Sequence, residues 1–237
     1  MTLSSMTVVP VIASQAGPAY AIIEEGVRWY AVLQTLIAIL MLSASAQAAD
    51  SDRGSNRDLA AKIEYCKNCH GSSGQGYRGF FPMPRLAGQQ TEFFENQLRA
   101  YADRRRENKL MHDVSRTLNA STRAAIAAHF SNLNPKPLQG FPRELVATGR
   151  TIYEDGIPES NVPACLACHG PDARGQREIP RLAGHLHDYI LNKLTNWTKE
   201  RVRDPAGADA SNAMVSTSHA MTRQQIAAVA AYLNSRQ

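Results

Sequence analysis

The 237-residue chain is poor in cysteine: it has four, all inside two short motifs, so no thiol is left over to act as an unusual ligand elsewhere. It also lacks strand patterning. No stretch alternates apolar and polar residues convincingly, which points to an all-α fold. Nor is there an apolar run long enough to cross a bilayer. Trp29–Leu42 is mostly apolar but only 14 residues long, whereas a spanning helix needs roughly 20.

What is present is one motif written twice: Cys66-Lys67-Asn68-Cys69-His70 and Cys165-Leu166-Ala167-Cys168-His169. The Cys-x-x-Cys spacing lets two sulfurs reach one centre from a single helical turn, so zinc sites and redox dithiols use it too. A four-thiolate zinc site across the two motifs would need no histidine beside each pair. Haem attachment uses every residue: two thiols form thioethers to the vinyl groups, and the adjacent histidine ligates the iron. The expected cofactors are therefore two covalently bound haem c groups, held by Cys66, Cys69, Cys165 and Cys168, with His70 and His169 as proximal ligands.

The repeat extends beyond the motifs. Pro84-Arg85-Leu86-Ala87-Gly88 returns unchanged as Pro180-Arg181-Leu182-Ala183-Gly184, and Phe93 and Leu98 recur in register as Tyr189 and Leu194. The offset is 165−66=99 at the cysteines and 180−84=96 at the shared pentapeptide, so the length difference falls in a loop.

A haem iron held by histidine alone is open to chemistry, so the sixth ligand separates carrier from enzyme. Met111 and Met214 form the matched pair, each standing 15 residues before an equivalent apolar position, Ile126 and Val229. Met83 falls opposite Ile179 and Met221 opposite Leu118, so neither has a methionine counterpart. An arbitrary methionine is more often core filling, but matched placement after a haem motif favours Met111 and Met214 as distal ligands. His112, His129, His185, His187 and His219 have no histidine partner in the other repeat and read as surface or loop residues, with His112 the competitor to watch.

From about Leu59 to Leu233 these residues resemble the two-haem bacterial cytochromes c of the cytochrome c4 type. The resemblance implies two tandem cytochrome c-like domains, each a few short helices around a haem with His/Met iron, carrying electrons in the periplasm. It also implies that Pro84 and Pro180 carbonyls accept hydrogen bonds from the proximal histidines. Two departures stand out: His185 replaces the glutamine found at Gln89, and His129-Phe130 replaces the Tyr-Leu ending of the last helix.

Residues 1–48 lie outside this pattern. The apolar run is preceded by Arg28 and followed by small residues ending at Ala48, which reads as a cleaved secretory signal; an uncleaved anchor is the alternative. Glu24 and Glu25 are odd ahead of such a run, and a translation start near Val27 would account for them. The expected boundaries are a signal at 1–48, a first domain at 54–134, a proline-rich linker at 135–142 and a second domain at 143–237. Helices are expected near Arg57–Tyr65, Thr91–Tyr101, Ser121–Leu133, Glu144–Glu154, Leu186–Glu200 and Thr222–Ser235, the last opened by a Thr222/Gln225 capping box.

Net charge is +5; residues 1–48 carry Glu24, Glu25 and Arg28, so removing them leaves +6. Arg104-Arg105-Arg106 reads either as a solvated face or as a docking surface for an acidic redox partner. Nucleic acid is a poor partner for an exported haem protein. The expected function is a periplasmic electron carrier rather than an enzyme. The resemblance to cytochrome c4 implies that its donor would be a quinol-oxidising cytochrome complex or a dehydrogenase, and its acceptor a terminal oxidase or reductase. Membrane contact would come only through partners or an uncleaved signal. A dihaem peroxidase, a thiosulfate-oxidising cytochrome and the haem subunit of a dehydrogenase complex are the alternatives.

Overall fold

The computed structural model describes residues 30, 33–37, 41, 56–201 and 210–237. Contacts divide the chain into the units Met1–Asn56 and Arg57–Gln237. In the first unit, residues 33–37 are helical and exposed. The signal's cleavage point at Ala48 and the alternative start at Val27 lie outside the described residues. Among the described residues, no helix is long and apolar enough to cross a membrane.

The second unit is helical, and its β structure among the described residues is confined to four isolated bridges. In the first repeat, α1 covers 56–70, α2 Thr91–Ala102, α3 Lys109–Ser115 and α4 Ala120–Ser131. The second repeat has α5 Val146–Asp155, α6 Leu166–His169, α7 His187–Thr195, α8 Ala213–Ala220 and α9 Arg223–Ser235. Phe94, Leu98 and Tyr101 of α2 recur at helical spacing and are buried. With Ile63 of α1 and Ile126, Ala127 and Phe130 of α4, Phe94 and Leu98 build the first core. The second core gathers Ile152 and Tyr153 of α5, Ile190 of α7 and Ile226, Val229 and Leu233 of α9. Helices α5 and α9 cross closely at Gly149, where a Cβ would stand 1.9 Å from the Ala228 carbonyl oxygen.

The duplication is visible bond by bond. The His70 carbonyl accepts from Gly76 at 2.8 Å and the His169 carbonyl from Gly175 at 2.9 Å. Gly88 donates to Phe130 at 2.8 Å and Gly184 to Leu233 at 2.9 Å, pinning each shared pentapeptide to the last helix of its repeat. The three-residue length difference lies in one loop. Tyr77 pairs with Met83 across five intervening residues, while Gln176 pairs with Ile179 across two.

Helix boundaries follow local chemistry. The Thr222/Gln225 capping box opens α9 as expected. The expected Leu186–Glu200 helix is shorter: Asn196 bonds back to the Asn192 carbonyl through its side chain, and Trp197–Lys199 continues as a 3-10 turn. α1 runs through the first haem motif to His70 and stops at Gly71, whose φ of 88° leaves the helical region. The short helices α3 and α8 carry the two matched methionines and were not anticipated.

Candidate functional site

His70 ends α1 and His169 ends α6, and both are 7% exposed. His70 Nδ1 lies 2.9 Å from the Pro84 carbonyl oxygen, and His169 Nδ1 lies 3.0 Å from that of Pro180. A carbonyl only accepts, so each Nδ1 carries the hydrogen and each Nε2 keeps a lone pair for a metal. Burial pushes both imidazoles below their ordinary pKa, against the opposing pull of the carbonyl bond, and so favours the neutral, ligating form.

The four cysteines are unpaired; Cys66 and Cys165 are half-buried, and Cys69 and Cys168 exposed. Burial raises the Cys66 thiol and pushes Cys165 up to about 11, so both stay protonated near neutrality. Among the described residues the two thiol pairs are not gathered into any cluster suited to an ion. The four-thiolate zinc arrangement therefore does not form. A cleft of about 400 Å³ opens beside Cys66 between α1, α3 and α4, lined by Leu110, Val114, Leu118 and Ile126. Thiols next to an apolar cleft, with a fixed histidine one residue beyond, suit an apolar macrocycle carrying an iron.

Met111 lies on α3, where its backbone N–H donates to the capping Asn108 side chain at 2.9 Å, and it borders the same core as Cys66. Met214 is half-buried on α8. The unmatched methionines have other work. Met83 is held by backbone pairing with Tyr77, and Met221, 8% exposed, fills the core position that Leu118 fills in the first repeat.

Several polar residues were misplaced by the sequence reading. His185 and His187 are buried rather than on the surface. His185 stacks on Tyr189, with ring centroids 5.2 Å apart, and His187 meets the Asp188 carboxylate at 2.8 Å. Burial, with Arg85 and Arg181 nearby, pushes His185 down to about 3. Arg106 belongs neither to a solvated face nor to a docking surface. It is 6% exposed, donates to Gln97 at 2.7 Å and to Tyr189 at 3.2 Å, and lies over the Tyr101 ring. Arg104, by contrast, is exposed.

Arg106 and His185 belong to a polar seam between the repeats. Gln89 accepts from the Arg181 N–H at 2.7 Å and donates to the Arg181 carbonyl at 3.1 Å. Arg85 and Arg181 both donate to Asn134 Oδ1, at 3.1 and 3.3 Å. The signal was in the sequence: an arginine at the same place in both identical pentapeptides, with no acid beside it.

Residues 146–237 match the cytochrome c family model. The chain is 34% identical over 192 residues to cytochrome c4 of Thiocapsa roseopersicina, covering 79% of this chain and 95% of that one. The chain belongs to the cytochrome c4 family. Cytochrome c4 of Acidithiobacillus ferrooxidans superposes with a TM-score of 0.61 at 33% identity, over 72% of this chain and 98% of that one. The thiosulfate dehydrogenase electron acceptor of Thiomonas intermedia is 32% identical over 212 residues, covering 87% of this chain and 93% of that one. As a member of the cytochrome c4 family, the chain is a dihaem electron-transfer protein built from two cytochrome c domains, with both haems held covalently.

Proposed function

We propose that the chain is a periplasmic carrier in which Cys66 and Cys69 hold one haem and Cys165 and Cys168 the other. His70 and His169 are the proximal ligands, and Met111 and Met214 the distal ones. The observation that carries this reading is the pair of matching bonds from His70 to Pro84 and from His169 to Pro180, at 2.9 and 3.0 Å. Each bond fixes a tautomer and a ring orientation, so each Nε2 is preset toward the metal and its basicity is raised. A bound haem supplies a one-electron couple, whose potential methionine raises relative to a second histidine. The protein's part is to keep the histidines neutral, bury the ring edges and hold the two repeats in one geometry.

The domains run over 54–134 and 143–237, joined by 135–142, and 1–48 is the export signal. A relative named for accepting electrons from thiosulfate dehydrogenase supports a dehydrogenase as donor; a quinol-oxidising complex is the other donor class. A terminal oxidase or reductase receives the electrons. The test is a visible spectrum of the mature holoprotein, with haem counted per chain, reduced and then exposed to carbon monoxide. Two haems with no carbon monoxide shift is the expected result. A shift in either haem reveals an open iron and moves the reading to an enzyme.

A further inference from the structure

The two repeats differ in what they show to solvent. Among the described residues of Arg57–Gln237, the exposed large apolar and aromatic side chains are Tyr65, Tyr77, Phe80, Phe81 and Leu110, all in the first repeat. Tyr65 and Leu110 line the cleft at Cys66 and belong to the haem site. The other three stand on the loop that carries the first repeat's three extra residues, from Tyr77 to its pairing partner Met83. Phe80 is 93% exposed and Phe81 70%, with their rings edge to face at 4.9 Å.

The loop is held at its base. Tyr77 and Met83 exchange backbone bonds at 3.3 and 2.9 Å, and the Arg78 guanidinium donates to the Gly140 carbonyl at 2.9 Å. Exposed aromatics gain from being covered, and those on a fixed backbone lose little freedom on contact, which is the profile of an interface anchor. Pro84, next after Met83, supplies the carbonyl that orients His70, so the anchor adjoins the first haem motif's histidine. Charge is divided the same way. Residues 54–134 hold 12 Lys and Arg against 7 Asp and Glu, 12−7=+5, while 143–237 hold 11 against 10, 11−10=+1.

We propose that Tyr77, Phe80 and Phe81 anchor a docking face on the first repeat, which takes a redox protein whose own contact face is apolar and rimmed with carboxylates. The inference rests on the carrier reading above. The first repeat's charge draws an acidic partner in, and the aromatic rings hold it. The second repeat, nearly neutral and without exposed large aromatics among its described residues, takes no part in that contact, so electrons cross at the first haem motif.

The test is the kinetics of reduction and reoxidation of the holoprotein by periplasmic and membrane fractions of a source strain lacking its own copy. In the double variant Phe80→Ser/Phe81→Ser, the half-saturating concentration for one of the two reactions should rise roughly tenfold with its saturated rate unchanged. Haem count and melting temperature should match wild type, since both side chains are exposed. Arg177→Ser, in the corresponding loop of the second repeat, should shift neither reaction by more than about twofold. No rise in the double variant, or an equal rise in Arg177→Ser, overturns the proposal, as does a wild-type rate at low concentration that is insensitive to salt. Sedimentation with vesicles of phosphatidylethanolamine and phosphatidylglycerol that is lost in the double variant assigns the loop to lipid and also overturns it. A carbon monoxide shift in wild type, measured separately, marks failure of the carrier reading instead.

Discussion

Gln89→Ala probes the joint between the repeats most directly. Gln89 is 5% exposed, and its amide is matched to both backbone groups of Arg181, at 2.7 and 3.1 Å. Truncation removes these two neutral hydrogen bonds and a third, accepted from the Gln90 N–H at 3.0 Å, each contributing about 0.5–1.5 kcal/mol net, and leaves the buried Arg181 N–H unpaired at about 1–3 kcal/mol. Water entering the gap offsets part of this, so roughly 2–4 kcal/mol of local stability is lost. The readout is amide hydrogen exchange at Arg181, where 2 kcal/mol corresponds to about thirtyfold faster exchange. Gly184, bonded to Leu233 within the second repeat, is the internal control and should stay protected. Arg181 exchange changing by less than about threefold in a folded variant would refute the reasoning.

Three further outcomes are expected. Met111→Ala and Met214→Ala should each open one haem to carbon monoxide, while Met221→Ala, a core change, should cost about 2–4 kcal/mol in unfolding and leave the spectrum alone; identical spectra for all three would remove the methionines from the ligand set. Gly149→Ala places a methyl 1.9 Å from the Ala228 oxygen, and the overpacking, about 1–3 kcal/mol, should lower the melting temperature by roughly 2–10 °C despite alanine's better helix propensity. His185 has a folded pKa of about 3, below its ordinary 6.5, so between these values the unfolded chain binds the extra proton. Stability should therefore fall with pH below about 6.5, by up to about 1.4 kcal/mol per unit; His185→Gln should lessen that slope relative to wild type in urea titrations, and equal slopes would count against it.

The haem motifs, the duplication and the long helices were legible because each is written in local sequence: fixed spacing, a capping box at Thr222, apolar residues at helical period. α3 and α8 were not. Lys109–Ser115 and Ala213–Ala220 are too short to show a period, the apolar residues of the second fall on no single face, and the cap that Asn108 gives α3 shows only in the fold. Arg106 and His185 were misread for a different reason. Their burial comes from contact between repeats, and a chain read in order shows the residue without the surface that covers it.

The connection between the repeats is fastened at three points. Asn134 accepts from both arginines, the Leu138 carbonyl accepts from Asn234 at 3.1 Å, and the Gly140 carbonyl accepts from Arg78 at 2.9 Å. Residues of the first and second repeats thus both grip the same nine-residue stretch, 134–142. It behaves as a splice plate bolted to two beams rather than as a cord between them. An electron's path length from one half to the other is then a machined dimension of the molecule, set by these hydrogen bonds and not by the wandering of a tether.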